Sequence, residues 1–113
     1  MRYALLAYGI VDAWAALSDE ERAAWVADDV AFHAELTDQG AMVHAGSLAE
    51  PDVSTTIRVR DGVARLTDGP VADEQLGDFV VIEVPDLDTA IALAERSPAA
   101  RTGAVEVRPV LAG

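Results

Sequence analysis

The sequence predicts a single α+β domain, residues 1–113, built from an antiparallel sheet with two helices on one face. The length matches the commonest size of one folding unit, so one hydrophobic core is expected. An apolar content of 51% with 25% charged residues is typical of a globular chain. Six strand-like segments and two helical ones follow one another, which favours an antiparallel sheet over a parallel one.

The first two elements have clear local signals. Residues 2–8 are apolar on both alternating faces, which indicates a central strand covered on both sides. A loop is expected after this strand, to about Leu17. A helix over about 19–39 follows, because Ser18 and Glu21 form a capping-box pattern at its start.

The middle of the chain predicts strands. Gly40 is suited to end the first helix at its C′ position. A second strand is expected over 42–48, and alternation of apolar and polar residues indicates a half-buried third strand over 55–60. Because Asp61-Gly62 is a strong hairpin signal, a return strand is expected over 63–67.

The remaining elements complete the sheet. The turn Asp68-Gly69-Pro70 ends the return strand, because glycine permits positive φ and proline cannot donate to a ladder. A strand that is apolar on nearly both faces is predicted over 79–84, followed by a helix over about 85–96. The last strand, 105–110, contains Pro109 and is therefore expected at a sheet edge.

The predicted order, β-α-β-β-β-β-α-β, is a split βαβ pair with an extra hairpin strand, which is a ferredoxin-like topology. With both helices on one face, the other face of the sheet is uncovered. The two central strands are nevertheless apolar on both sides, and an exposed apolar sheet of this size promotes aggregation. We therefore predict a homodimer formed through the open sheet face.

Charge and composition exclude several classes of partner. The 20 acidic and 8 basic side chains give a net charge of -12, which opposes binding to nucleic acid and to anionic membranes. No apolar run approaches the roughly 20 residues that cross a bilayer, so a cytoplasmic protein is expected. Without cysteine, and without HExxH, GxGxxG or P-loop spacing, the sequence predicts no metal site and no cofactor.

The first helix carries two ionisable side chains on its apolar side. Trp25, Phe32 and Leu36 cluster in one arc of the helix, Asp29 falls inside that arc, and His33 follows one turn later. A carboxylate beside an imidazole can orient it and stabilise its protonated form, which gives a general acid/base near neutral pH. The alternative is that both side chains lie at the edge of the helix–sheet contact and have no catalytic role.

The other candidates have weaker signals. His44 is the second of two histidines and lies in a predicted strand, where a structural role is the usual one. Trp14, Tyr3 and Tyr8 either line an apolar pocket or pack in the core.

Stretches along the whole chain resemble the YCII-related proteins of the DGPF subgroup. The marker is Thr67-Asp68-Gly69-Pro70-Val71-Ala72, followed by Glu74-Gln75-Leu76-Gly77-Asp78-Phe79. Further matching stretches, in the same order, are residues 1–9, 17–22, 84–90 and 103–110.

The resemblance implies a ferredoxin-like homodimer of the dimeric α/β-barrel type, with a cleft between the sheet and the helices near the dimer interface. In the wider YCII group a His–Asp pair is proposed as catalytic, and one branch includes a dehydrochlorinase of a chlorinated hydroxyquinol ring. DGPF members also occur near or fused to sigma factors.

This sequence departs from the family pattern. Val71 stands where relatives usually have Phe, and the segment that follows is shorter than usual. Asp29 stands where many relatives have His, and the Asp of the second helix is replaced around Ser97. A catalytic pair in this chain would therefore consist of Asp29 and His33.

Two functions follow from these residues. The first is a cofactor-independent lyase or isomerase of a small cyclic or aromatic substrate, with His33 as base, Asp29 orienting it, and Tyr8 or His44 placing a substrate oxygen. The further candidate contacts to the substrate are Trp25, Asp68 and Pro70. The alternative is a non-catalytic module that binds a small apolar ligand or a regulatory protein partner. A structural dimer without a pocket is the third interpretation.

Overall fold

The computed structural model describes residues 1–73 and 75–111, and in these residues it has mixed α and β structure with antiparallel sheets. In chain order the elements are β1 (Arg2–Tyr8), α1 (Ile10–Ala16), α2 (Asp19–Asp38), β2 (Met42–Ser47), a 3-10 turn (Pro51–Val53), β3 (Thr55–Arg60), β4 (Val63–Asp68), β5 (Leu76–Glu83), α3 (Leu87–Ala94), α4 (Pro98–Thr102) and β6 (Ala104–Pro109). Among the described helices, none combines the length and the apolar character that crossing a bilayer requires.

The main sheet has four strands in the order β2-β5-β1-β6, and all its neighbours are antiparallel. The central position of β1 and the edge position of β6, which contains Pro109, are as expected from the sequence. The predicted hairpin also forms, and its turn residues Asp61 and Gly62 have φ of 53° and 75°. However, β3 and β4 form a separate two-stranded sheet, so they do not widen the main one.

Local signals at both ends of α2 explain its bounds. The Ser18 hydroxyl accepts a hydrogen bond from the Glu21 backbone N–H, and the Glu21 carboxylate accepts one from the Ser18 backbone N–H. At the other end Gly40 has φ of 69°, and the N–H groups of Gly40 and Ala41 donate to the carbonyls of Thr37 and Leu36. This is a Schellman motif, which satisfies carbonyls that the helix itself leaves unpaired.

Two helices lie where the sequence predicted none. Residues 10–16, predicted as loop, form α1, and residues 98–102 form α4. A helix of seven residues is not stable by itself in water, so α1 depends on tertiary contacts. The Arg22 side chain of α2 supplies them by donating to the carbonyls of Trp14 and Ala15 at the end of α1. Pro98 occupies the first turn of α4, where its missing N–H costs nothing.

The core lies between the helices and one face of the main sheet. Its largest buried side chains are Tyr3, Leu5, Phe32, Leu36, Val80, Ile82, Val84 and Leu93. Leu36 of α2 and Ile82 of β5 are fully buried. Strand alternation places Leu6, Phe79 and Val81 on the opposite face, where they are half-buried in the single chain. We call this opposite face the open sheet face.

Candidate functional site

Two adjoining cavities lie between α1, α2 and the main sheet. The larger one has a volume of about 570 Å³, which is within the range of small-molecule sites, and its lining comes mainly from α1, α2, residues 47–50 at the end of β2, and β5. The smaller one, of about 20 Å³, has room for about one water and lies between α2 and the sheet. Asp29, Ser47 and Asp78 line both cavities and mark the boundary between them.

Two tryptophans form one wall of the larger cavity. The rings of Trp14 on α1 and Trp25 on α2 meet edge to face, with centroids 5.6 Å apart and planes at 83°. The Trp25 Nε1–H donates to the Thr102 hydroxyl at 3.2 Å, and the Arg22 guanidinium lies 5.8 Å from the Trp14 ring centroid. Both rings are held by neighbouring elements, so the wall is preformed. Flat apolar faces of this kind suit a planar or ring-shaped ligand.

Asp29 and His33 are neighbours on α2, as their spacing predicted. His33 Nε2 lies 3.7 Å from Asp29 Oδ1, which is longer than a hydrogen bond, and the contact becomes an ion pair when His33 is protonated. The Asp29 side chain is 29% exposed and that of His33 is 39% exposed. Asp29 lines both cavities, whereas His33 lines only the smaller one. Of the two, Asp29 is therefore the group in contact with the larger cavity.

The surroundings of Asp29 change its acidity. Burial raises the pKa of the Asp29 carboxyl; the positive charge of protonated His33 lowers it, and the negative charge of Asp78 raises it further. A raised carboxyl pKa brings the group closer to the range in which it can both accept and return a proton. Glu50 also lines the larger cavity and adds to its acidic character.

Comparison with protein-family profiles relates this chain to known proteins. The profile described as the YCII-related domain matches residues 1–112. The chain belongs to the YCII-related family. Assignment of this YCII-related chain to the DGPF subgroup rests on the Asp68-Gly69-Pro70 stretch and stays a prediction. None of the curated proteins matches it.

In this YCII-related chain, Tyr8 and His44 lie away from both cavities. Tyr8 alternates with the buried Ala7 on β1 and so lies on the open sheet face. On β2 the register shifts between Met42 and His44, which pair with Ile82 and Val81. This bulge brings His44 to the open sheet face, where its ring lies 5.8 Å from that of Phe79.

Asp68 and Pro70 lie at the base of the hairpin and line neither cavity. The turn between them is held by two hydrogen bonds: the Gly69 N–H donates to the Ser54 carbonyl at 2.7 Å, and the Gly69 carbonyl accepts from the Thr56 hydroxyl at 2.8 Å. The turn therefore closes the base of the hairpin. Among the described residues that the sequence predicted for the site, Asp29, His33 and Trp25 meet at the cavities, and so does Trp14, which was expected either in a pocket or in the core.

Sequence reasoning missed two polar side chains of this site. Asp78 shares a strand face with the buried Val80 and Ile82. Because the strand was predicted to begin at Phe79, Asp78 was left outside it and its place in this alternation was missed. Ser97 is buried at 7% exposure and lines the smaller cavity. Within residues 1–73 and 75–111, no three His, Asp or Glu side chains are grouped so that they could hold a metal ion together.

Proposed function

We propose that this protein is a cofactor-independent lyase or isomerase that moves a proton on a small cyclic or aromatic substrate, with Asp29 as the group that takes the proton. The observation that supports this best is the position of Asp29, whose carboxyl borders both cavities and whose pKa is raised by burial. The sequence suggested His33 as base and Asp29 as its orienting partner. The cavity lining supports the reverse arrangement.

In the proposed reaction the substrate ring lies against Trp14 and Trp25. The Asp29 carboxylate accepts a proton from a carbon next to an electron-withdrawing group. The electron pair released from the C–H bond either remains in the substrate or expels a leaving group. Asp29 then returns the proton to another atom of the substrate or gives it to the leaving group, so that the carboxylate is regenerated. His33, when protonated, stabilises the ionised Asp29 between turnovers.

The negative charge of Asp78 has a clear part in this proposal. Because two carboxylates near each other resist simultaneous ionisation, Asp78 makes Asp29 a stronger base than an isolated aspartate. The smaller cavity beside both groups has the volume of about one water, which is room for a molecule that exchanges the proton with solvent.

Deuterium exchange into cyclohexanone tests the proposal without knowledge of the natural substrate. The probe has a ring and α protons next to a carbonyl, and their loss in D₂O is followed by proton NMR. We expect the wild-type protein to accelerate exchange over buffer, and Asp29→Asn to reduce that acceleration about 100-fold. The control is Asp28→Asn, because Asp28 is the next residue, is 57% exposed and pairs with Arg101 outside the cavities.

The outcomes separate catalysis from binding alone. Equal exchange by wild type and Asp29→Asn would contradict the role of Asp29. Saturable quenching of Trp14 and Trp25 fluorescence by cyclohexanone without any exchange would instead favour the non-catalytic ligand-binding module.

We also propose that the chain has a ferredoxin-like fold and forms a homodimer through the open sheet face. The antiparallel order β2-β5-β1-β6, with helices between β1 and β2 and between β5 and β6, supports the ferredoxin-like assignment. The half-buried Leu6, Phe79 and Val81 on that face support the dimer, because burial of such a patch stabilises association.

A further inference from the structure

We propose that the β3–β4 hairpin, residues 55–68, is an arm that binds the open sheet face of a second copy of this chain. The proposal rests on the homodimer proposed above and adds an element to it that the sequence did not suggest. We call the hairpin the arm.

The arm has little support from its own chain. Of the twelve residues in its two strands only Thr56 is partly buried, and the other eleven are exposed. The radius of gyration of the described chain is 15.9 Å, whereas a compact domain of this length has about 13 Å. A two-stranded hairpin is marginally stable by itself in water, so an arm of this kind needs a surface to pack against.

One face of the arm is apolar. The register pairs Ile57 with Leu66 and Val59 with Ala64, which places these four side chains together on one face. Ile57, Val59 and Leu66 are 61%, 57% and 68% exposed. Neighbouring apolar side chains this exposed indicate a contact surface and not isolated surface residues.

The other face of the arm is basic. Arg58 and Arg65 are directly opposite each other, and like charges in this position destabilise a hairpin. Arg60 lies on the same face, and in the part of the chain that the structure describes none of the three arginines forms an ion pair. A negatively charged neighbouring chain would offset part of this repulsion through longer-range attraction, because the basic face is opposite the apolar contact face.

A second copy of the chain has the required properties. The arm contains three of the eight basic side chains and only two of the twenty acidic ones, so the rest of the chain is strongly acidic. That acidic body carries the apolar open sheet face. Six residues of strand span about 20 Å and four strands are about 15 Å wide, so the arm is long enough to cross the sheet of its partner. The arginines also reduce the repulsion between two acidic bodies.

Disulfide trapping tests the contact directly, because the chain has no cysteine of its own. Val59→Cys and Leu6→Cys chains are purified separately, mixed and oxidised, and the mixed disulfide is identified by mass spectrometry. Any Val59–Leu6 disulfide is then intermolecular. The control mixture is Val30→Cys with Leu6→Cys, because Val30 is 64% exposed on α2, away from the arm. We expect at least tenfold more mixed disulfide from Val59 than from Val30.

Sedimentation of charged variants provides the second measurement. Ile57→Asp should weaken the dimer at least tenfold, while Val30→Asp, with similar exposure, should leave it unchanged. A mixed-disulfide yield no higher than that of the control would overturn the proposal. Unchanged dimerisation of Ile57→Asp together with dissociation of Leu6→Asp would reject the arm and retain the open-face dimer. A monomeric wild-type chain would reject both the arm contact and the open-face dimer. None of these outcomes would affect the proposed role of Asp29.

Discussion

Gly103 joins the end of α4 to β6 and packs against the backbone where β1 leads into α1. A Cβ atom at this position would overlap the Tyr8 carbonyl oxygen and would lie 3.2 Å from the Gly9 carbonyl carbon and 3.3 Å from the Ile10 nitrogen. All three contacts are to backbone atoms, so rotation of a side chain cannot relieve them. We therefore expect Gly103→Ala to lower the free energy of unfolding by about 3 kcal/mol, the upper end of the usual range for overpacking.

The expected effect on the melting temperature follows from the chain length. An unfolding entropy of about 2.1 cal/mol/K per residue gives about 0.24 kcal/mol/K for 113 residues, so 3 kcal/mol corresponds to about 12 °C. Thermal unfolding followed by circular dichroism measures this shift. The control is Gly40→Ala: Gly40 has φ of +69° and no atom within 4 Å of an added Cβ, so only backbone strain of about 1 kcal/mol, or about 4 °C, is expected.

A Gly103→Ala protein that melts within about 4 °C of wild type would refute this reasoning. It would mean that the corner between β1 and α1 is not in close contact with Gly103. The position of α1, and with it the Trp14 wall of the larger cavity, would then be incorrect.

Three further substitutions test individual interactions. Ser18→Ala removes the cap of α2 and should lower stability to urea by about 1 kcal/mol, and an unchanged urea midpoint would contradict the capping role. Leu36→Ala leaves a cavity at a fully buried position and should cost about 3 kcal/mol, and a loss below 1 kcal/mol would show that the site is not packed. Because burial raises the pKa of Asp29, the folded state binds its proton more tightly than the unfolded state, so wild-type stability falls as the pH rises from the usual aspartate value of 3.8 through the raised pKa. Asp29→Asn should therefore be more stable than wild type at pH values above the raised pKa, and should have no such advantage at pH values below 3.8. Lower stability of the variant at neutral pH would contradict the burial effect.

The parts of the fold that follow from short-range signals could be predicted from the sequence. Ser18, Glu21 and Gly40 define the ends of α2 through hydrogen bonds within a few residues of each helix end. The central strand β1 follows from apolar residues on both faces, and the hairpin follows from Asp61-Gly62. The pairing of Asp29 with His33 follows from helix geometry.

The remaining features depend on contacts between residues far apart in the chain. The short helix α1 depends on hydrogen bonds from Arg22 of the next helix to its last carbonyls. Residues 10–16 by themselves carry no signal of these bonds. The face that His44 occupies depends on a bulge formed only when β2 pairs with β5. The role of Asp78 beside Asp29 depends on the packing of β5 under α2, although an acidic residue in the alternation with Val80 and Ile82 was a usable signal.

The pH dependence of cyclohexanone exchange, measured beside a carbon NMR titration of the Asp29 carboxyl, tests the proposed site most directly. We expect the exchange rate to rise with pH, with a midpoint that coincides with the Asp29 titration and lies above the usual aspartate value of 3.8. In His33→Gln the two midpoints should move together, since the substitution removes a charge that acts on Asp29. An exchange midpoint that followed the His33 imidazole and not the Asp29 carboxyl would contradict the assignment of Asp29 as the proton-transferring group.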